Sequence, residues 1–164
     1  MHGFVIALFV AIGVVFNVAD AAYAGTEKAL KRDGWITHET SIPFKDLYPR
    51  LKDAIKTTDL RQITTASASA GAKGRGLTIP GNRVVGVYNN FFAVRMLDAS
   101  VAAGIEAPLR FYLTERPRGG SHLTYKIPTE VFRPYFPDGG SELRVMAKEL
   151  DGLMEKIALE TIKE

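Results

Sequence analysis

The sequence predicts an α+β domain: a mostly antiparallel sheet of about five strands, packed against three helices in two layers and preceded by an N-terminal hydrophobic helix. Three observations predict it. Two segments with alternating apolar residues flank a glycine turn at 116–120, the pattern of a β-hairpin. Three other segments carry apolar residues at helical spacing. A long uncharged run opens the chain and is followed by polar and small residues.

The hydrophobic run occupies residues 4–16 (FVIALFVAIGVVF) and ends before Asn17 and Asp20, ahead of Ala22-Tyr23-Ala24 and Gly25. This is the length of an export signal's core with a small-residue cleavage site, and it is short for a membrane span. Met1-His2-Gly3 supplies no Lys or Arg, whereas Lys28, Lys31 and Arg32 follow the run, an order that the positive-inside rule assigns to an uncleaved anchor. The expectation is a signal peptide or signal anchor over residues 1–24, with a single domain over 25–164 in a periplasmic or otherwise extracytoplasmic compartment. Membrane contact would come only through residues 1–24, and only if they are retained.

The elements follow in order. Residues 34–40 (GWITHET) are rich in aromatic and β-branched side chains, as a strand requires. Phe44, Leu47, Leu51, Ala54 and Ile55 then share one helical stripe, and Pro49 is accommodated if Asp46 caps the helix and leaves the proline in its first turn. Residues 60–66 form a second strand, and 66–76 read as a small, flexible, basic loop. Residues 83–88 (RVVGVY) are a third strand, ended by Asn89-Asn90. Phe91, Val94, Leu97 and Val101 mark the core-facing stripe of a short helix reaching about residue 103. Leu109, Phe111 and Leu113 alternate with Arg110, Tyr112 and Thr114, and Leu123, Tyr125 and Ile127 alternate with His122, Thr124 and Lys126. After a connection with Pro128, Pro134 and Pro137, Ser141 caps a last helix with the stripe Leu143, Met146, Leu150, Leu153 and Ile157. Leu51, Ile55, Leu97, Leu150 and Leu153 are expected to cover the hairpin's apolar face.

The order of these features resembles a known family. RVVGVYNN leads into a helix carrying Met96, then come Ala107-Pro108-Leu109-Arg110-Phe111-Tyr112-Leu113, a glycine turn, His122-Leu123-Thr124-Tyr125-Lys126-Ile127-Pro128 and a terminal amphipathic helix. This is similar to domain of unknown function family 302 over roughly residues 33–162. Asn90 stands where that family usually has Pro, and Ala107-Pro108 replaces its Leu-Pro. The resemblance implies a compact α+β domain able to self-associate, and it implies no established enzymatic activity.

Composition narrows the chemistry. The 164 residues are 46% hydrophobic and 24% charged, the profile of one globular domain. With no Cys, disulfides, thiolate catalysis and iron–sulfur ligation are excluded, and a formal charge of +3 is too small for a nucleic-acid footprint. His38 and His122 are the histidines that remain beyond the leader; strand alternation sets both opposite the apolar positions, as solvated histidines or as weak metal ligands. Lys73 and Arg75 in the glycine-rich segment lack P-loop spacing and read as a loop that orders against an acidic partner. Asn89 and Asn90 serve as a helix cap or, with Arg110, as polar contacts to a small ligand. Phe132, Tyr135 and Phe136 lie in a segment too apolar for a solvated loop, so they either join the core or contact another protein.

No catalytic set, cofactor or high-affinity metal site emerges. The reading is an exported, non-enzymatic binding or accessory protein, acting by contact with a larger membrane or redox complex or with a second copy of itself. The alternative is a small-ligand- or metal-binding domain with modest chemistry in a pocket between helix and sheet.

Overall fold

The computed structural model describes residues 30–164. The expected N-terminal hydrophobic helix and its cleavage site lie outside the described residues. Five strands form one sheet: β1 (Trp35–Thr40), β2 (Arg61–Ala66), β3 (Asn82–Tyr88), β4 (Leu109–Glu115) and β5 (Ser121–Lys126). Their spatial order is β1-β5-β4-β3-β2, and every neighbouring pair is antiparallel. The β4–β5 hairpin is the one anticipated from the alternation on either side of residues 116–120.

Directly opposed residues share a face of an antiparallel sheet, so the register sorts the side chains. Ile36 and His38 of β1, Leu123 and Tyr125 of β5, Leu109, Phe111 and Leu113 of β4, and Val85 and Val87 of β3 point to one side. Helices α1 (Phe44–Lys56), α3 (Asn90–Ala99) and α5 (Phe136–Ile162) pack on this side, α1 and α3 each against α5. Leu47, Leu51, Ala54 and Ile55 of α1 join Leu143, Met146, Leu150, Met154 and Ile157 of α5 to close one continuous core over the sheet. The two-layer α+β architecture is therefore the one the sequence implies.

Several local expectations are corrected. Helix α1 starts at Phe44, with Asp46 and Leu47 N–H groups donating to the Pro43 carbonyl, so Asp46 is not its cap and Pro49 lies inside it. The proline is tolerated because it and Lys45, whose carbonyl loses a partner, are both exposed and hydrated. The glycine-rich loop contains helix α2 (Ala68–Lys73), capped by Ser67 accepting from the Ala70 N–H and tied down by Asn82. The proline-rich connection is helical as well: Pro128 opens α4 (Pro128–Phe132), a 3-10 turn spans Arg133–Tyr135, and Pro137 sits in the first turn of α5. Each proline occupies an early helical position, where a missing N–H has little consequence. The backbone leaves helical geometry at Gly140 (φ 56°), one residue before Ser141, and no hydrogen bond joins the Tyr135 side chain to the start of α5.

The largest correction concerns α3. Its buried residues are Ala93 and Met96, with Phe92 and Ala99 half-buried beside them. Phe91, Val94 and Leu97 face solvent, as do Val101 and Ile105 of the following 3-10 helix (Val101–Glu106). Two stripes offset by one residue both satisfy helical spacing; Asn89, which accepts from the Phe91 and Phe92 N–H groups, sets the rotation that chooses between them. Leu97 therefore does not belong to the core, and Leu153 contributes only partly.

Candidate functional site

Alternation along the strands assembles a second, polar face on the far side of the sheet from the long helices. Across it run three rows of side chains. One contains Trp35, Lys126 and Arg110 and passes on to Gly86; the next contains Thr37, Thr124, Tyr112, Val84 and Ala66; the third contains Glu39, His122, Thr114 and Asn82. Gly86 leaves the room in which Pro108 lies against β3, since a Cβ there would be 2.9 Å from the proline Cγ and would collide with Thr64 Oγ1.

A groove of about 640 Å³ lies over the first two rows, lined by Trp35, Tyr112, Val84, Thr124, Arg110 and Lys126 among others. Thr124 in its floor is held by the Thr37 hydroxyl of the neighbouring strand at 3.1 Å, and Thr37 in turn donates to the Leu30 carbonyl. Lys126 Nζ lies 5.8 Å from the centre of the Trp35 ring, within the range of a cation–π contact. Glu106, at the groove's edge, accepts from the Tyr135 hydroxyl at 2.8 Å, a bond that raises the pKa of that phenol. By contrast, the space between α3 and the sheet measures about 30 Å³, room for about one water, so a ligand pocket between helix and sheet is not formed there.

The two candidate histidines do not meet. His122 is on the polar face, buried, with Nδ1 3.5 Å from Thr114 Oγ1. His38 is on the helix-facing side, because it pairs with Leu123, and it stacks against Tyr125 at 6.4 Å. The expectation of a shared face assumed that both histidines alternate with their strands' apolar residues; on β1 the core positions are Ile36 and His38 themselves. Burial lowers the His38 pKa, opposed by Glu155, and its Nε2 is buried without a hydrogen-bond partner. The same burial pushes the Tyr125 phenol up to about 12, with Glu155 and Asp151 adding to the shift. Among the described residues no group of three or more His, Asp or Glu is placed to hold a metal ion.

The remaining candidates separate. Asn89 is a helix cap: its Oδ1 accepts from α3 while its Nδ2 donates to the Asp59 carbonyl, which leaves the amide committed at both ends. Asn90 is the exposed first residue of α3, and neither lines the groove that contains Arg110. Lys73 and Arg75 are exposed at the end of α2 and just beyond it. Phe132 is a core residue, 2% exposed, and so is not a contact residue. Tyr135 and Phe136 pack partly on the core, the latter under the Arg144 guanidinium at 4.4 Å.

Two features went unread in the sequence. One is the groove, whose Trp35 and Tyr112 lie on the polar side of their strands. The other is the apolar ridge of Phe91, Val94, Leu97, Val101 and Ile105, each between 45% and 79% exposed. Arg95 braces this ridge, its guanidinium 5.4 Å from the Phe91 ring and paired at both nitrogens with Glu149 at 2.6 and 3.0 Å.

The family model described as domain of unknown function DUF302 matches residues 36–159, most of the chain. The chain belongs to this family. Among solved structures, it is similar to the crystal structure of an uncharacterized conserved protein DUF302 from Bacillus stearothermophilus, with a TM-score of 0.68 and 16% identity, covering 80% of this chain and 100% of that one. At that identity the likeness concerns the fold alone. A comparison with curated proteins finds no match. No helix among the described residues is long and apolar enough to cross a membrane.

Proposed function

We propose that this DUF302 domain is an exported, non-enzymatic binding or accessory protein that acts by contact, with a larger membrane or redox complex or with a second copy of itself. The observation that carries the reading is the apolar ridge of α3 and the 3-10 helix after it. Five apolar side chains in solvent along one surface are unfavourable for a solitary soluble domain and are what a protein contact buries. The ridge replaces the Phe132–Phe136 segment as the contact surface, because Phe132 is needed inside. Export rests on the residues 1–24 pattern, which supplies either a secretion signal or a tether.

The test is the state of the full chain in a gentle detergent extract, followed by sedimentation of the purified protein. An assembly larger than a monomer that Leu97→Asp with Val101→Asp reduces to monomer, with circular dichroism unchanged, is the expected result. A monomer in both preparations overturns the reading. A reporter fused after Glu164 that is active only in the cytoplasm defeats the export component.

A further inference from the structure

We propose that the polar face of the sheet carries a binding site for an amphiphilic carboxylate: a small molecule with one anionic headgroup on an apolar body. The site is the groove over the Trp35 and Thr37 rows, on the face of the sheet opposite α3.

The headgroup end follows from the register. The β4–β5 ladder on this end closes with Phe111 opposite Tyr125. One step further sets Arg110 beside Lys126, on the opposite face from Phe111 and within the groove. Like charges directly opposed on a sheet are destabilising, and nothing in the fold requires cations there, since both side chains are exposed. Neither forms an ion pair with a carboxylate of the described residues. The groove's one acidic side chain, Glu106, is engaged by the Tyr135 hydroxyl. Two cations in one row against one committed carboxylate leave a positive end, and an anion set between them relieves their repulsion while accepting charge-assisted hydrogen bonds from both.

The body end follows from the lining. Beyond the two cations the groove passes over Trp35, Tyr112, Val84 and Ala66, while the Thr124 hydroxyl is engaged by Thr37, which itself donates to the Leu30 carbonyl, so the floor has little unmet polarity. Its volume of about 640 Å³ lies in the range of small-molecule sites. An apolar chain or ring lying along this floor loses water on one side against aromatic and aliphatic carbon, and its carboxylate reaches Arg110 and Lys126 at the rim. A metal cation is repelled by the same pair, and a nucleic-acid backbone asks for more phosphate contacts than two cations provide.

Trp35 is the single tryptophan of the chain and lines the groove beside Lys126, so its emission reports occupancy directly. The experiment titrates the purified full chain with dodecanoate, kept below micelle formation, and in parallel with dodecanol, which has the same tail and no charge. The expected result is a saturable one-site change in Trp35 emission, with dodecanoate bound at least tenfold more tightly than dodecanol. In Arg110→Gln with Lys126→Gln that preference disappears, while dodecanol binding, the near-ultraviolet circular dichroism and the thermal midpoint without ligand are no lower than in the parent. No saturable change with dodecanoate, equal affinity for acid and alcohol, or a double variant that binds dodecanoate like the parent each overturns the proposal. Sedimentation of the same samples keeps this outcome separate from the ridge, whose variants leave Trp35 and the groove in place.

Discussion

Met96 and Leu97 are adjacent on α3, and truncating each in turn measures how the helix is rotated. Met96 is 5% exposed and lines, together with Leu60, Val87, Phe132, Met146 and Leu150, the cavity of about 30 Å³ under α3. Met96→Ala removes buried atoms from a closed environment, so the transfer loss and the residual void add, at about 2–5 kcal/mol. Leu97 is 45% exposed. Fully burying a leucine is worth about 1.5–3 kcal/mol, and with nearly half its surface already wet the loss on Leu97→Ala is roughly 1 kcal/mol. No cavity term arises, because solvent occupies the vacated space. The two variants should therefore differ by roughly 2 kcal/mol in urea unfolding with an unchanged m-value, and by several degrees in thermal midpoint. Should Leu97→Ala cost as much as Met96→Ala, the apolar ridge is core and both the rotation of α3 and the contact surface built on it are wrong. The measurement needs dilute protein, since a contact between copies would add its own stabilisation at Leu97.

Other outcomes test separate parts of the fold. Phe111→Ala removes a fully buried ring that meets Tyr125 edge to face at 5.5 Å and should cost about 3–5 kcal/mol by chemical denaturation; a loss below about 1 kcal/mol would mean that the sheet buries its other face. Gly120→Ala combines a positive φ of 75° with a Cβ driven against the Thr40 carbonyl, whereas Gly119→Ala at φ 92° meets open space; the first should lower the thermal midpoint clearly more than the second. Because burial lowers the His38 pKa below its ordinary 6.5, the unfolded chain takes up this proton first on acidification. Stability should then fall as pH drops through 6.5 towards the lower folded value, and His38→Gln should flatten that part of the profile; an unchanged slope would show that the imidazole is charged or hydrated in the fold.

Period and turn chemistry determine the five strands and the stripes of the two long helices. The alternation at Leu109–Leu113 and Leu123–Ile127 admits one pairing once the turn at 116–120 is placed, since a slip by one residue would send Phe111 and Leu123 into water. Stripes on α1 and α5 are long enough for the same reason. Export and localisation were read from residues 1–24 alone, and nothing in the described fold bears on them. The rotation of α3 is not legible in the sequence, because its ten residues offer two apolar stripes one position apart and only the Asn89 cap and the burial of Ala93 and Met96 over the sheet distinguish them. His38 was misplaced because its strand alternates weakly, and a histidine on an edge strand follows its neighbours' register rather than its own polarity. The groove was beyond reach for a different reason. Trp35, Arg110, Tyr112 and Lys126 come from three strands whose order, β1-β5-β4, is set by which strands pair. Sequence determines which side of a strand a residue takes; only strand order decides whose side chains stand next to it.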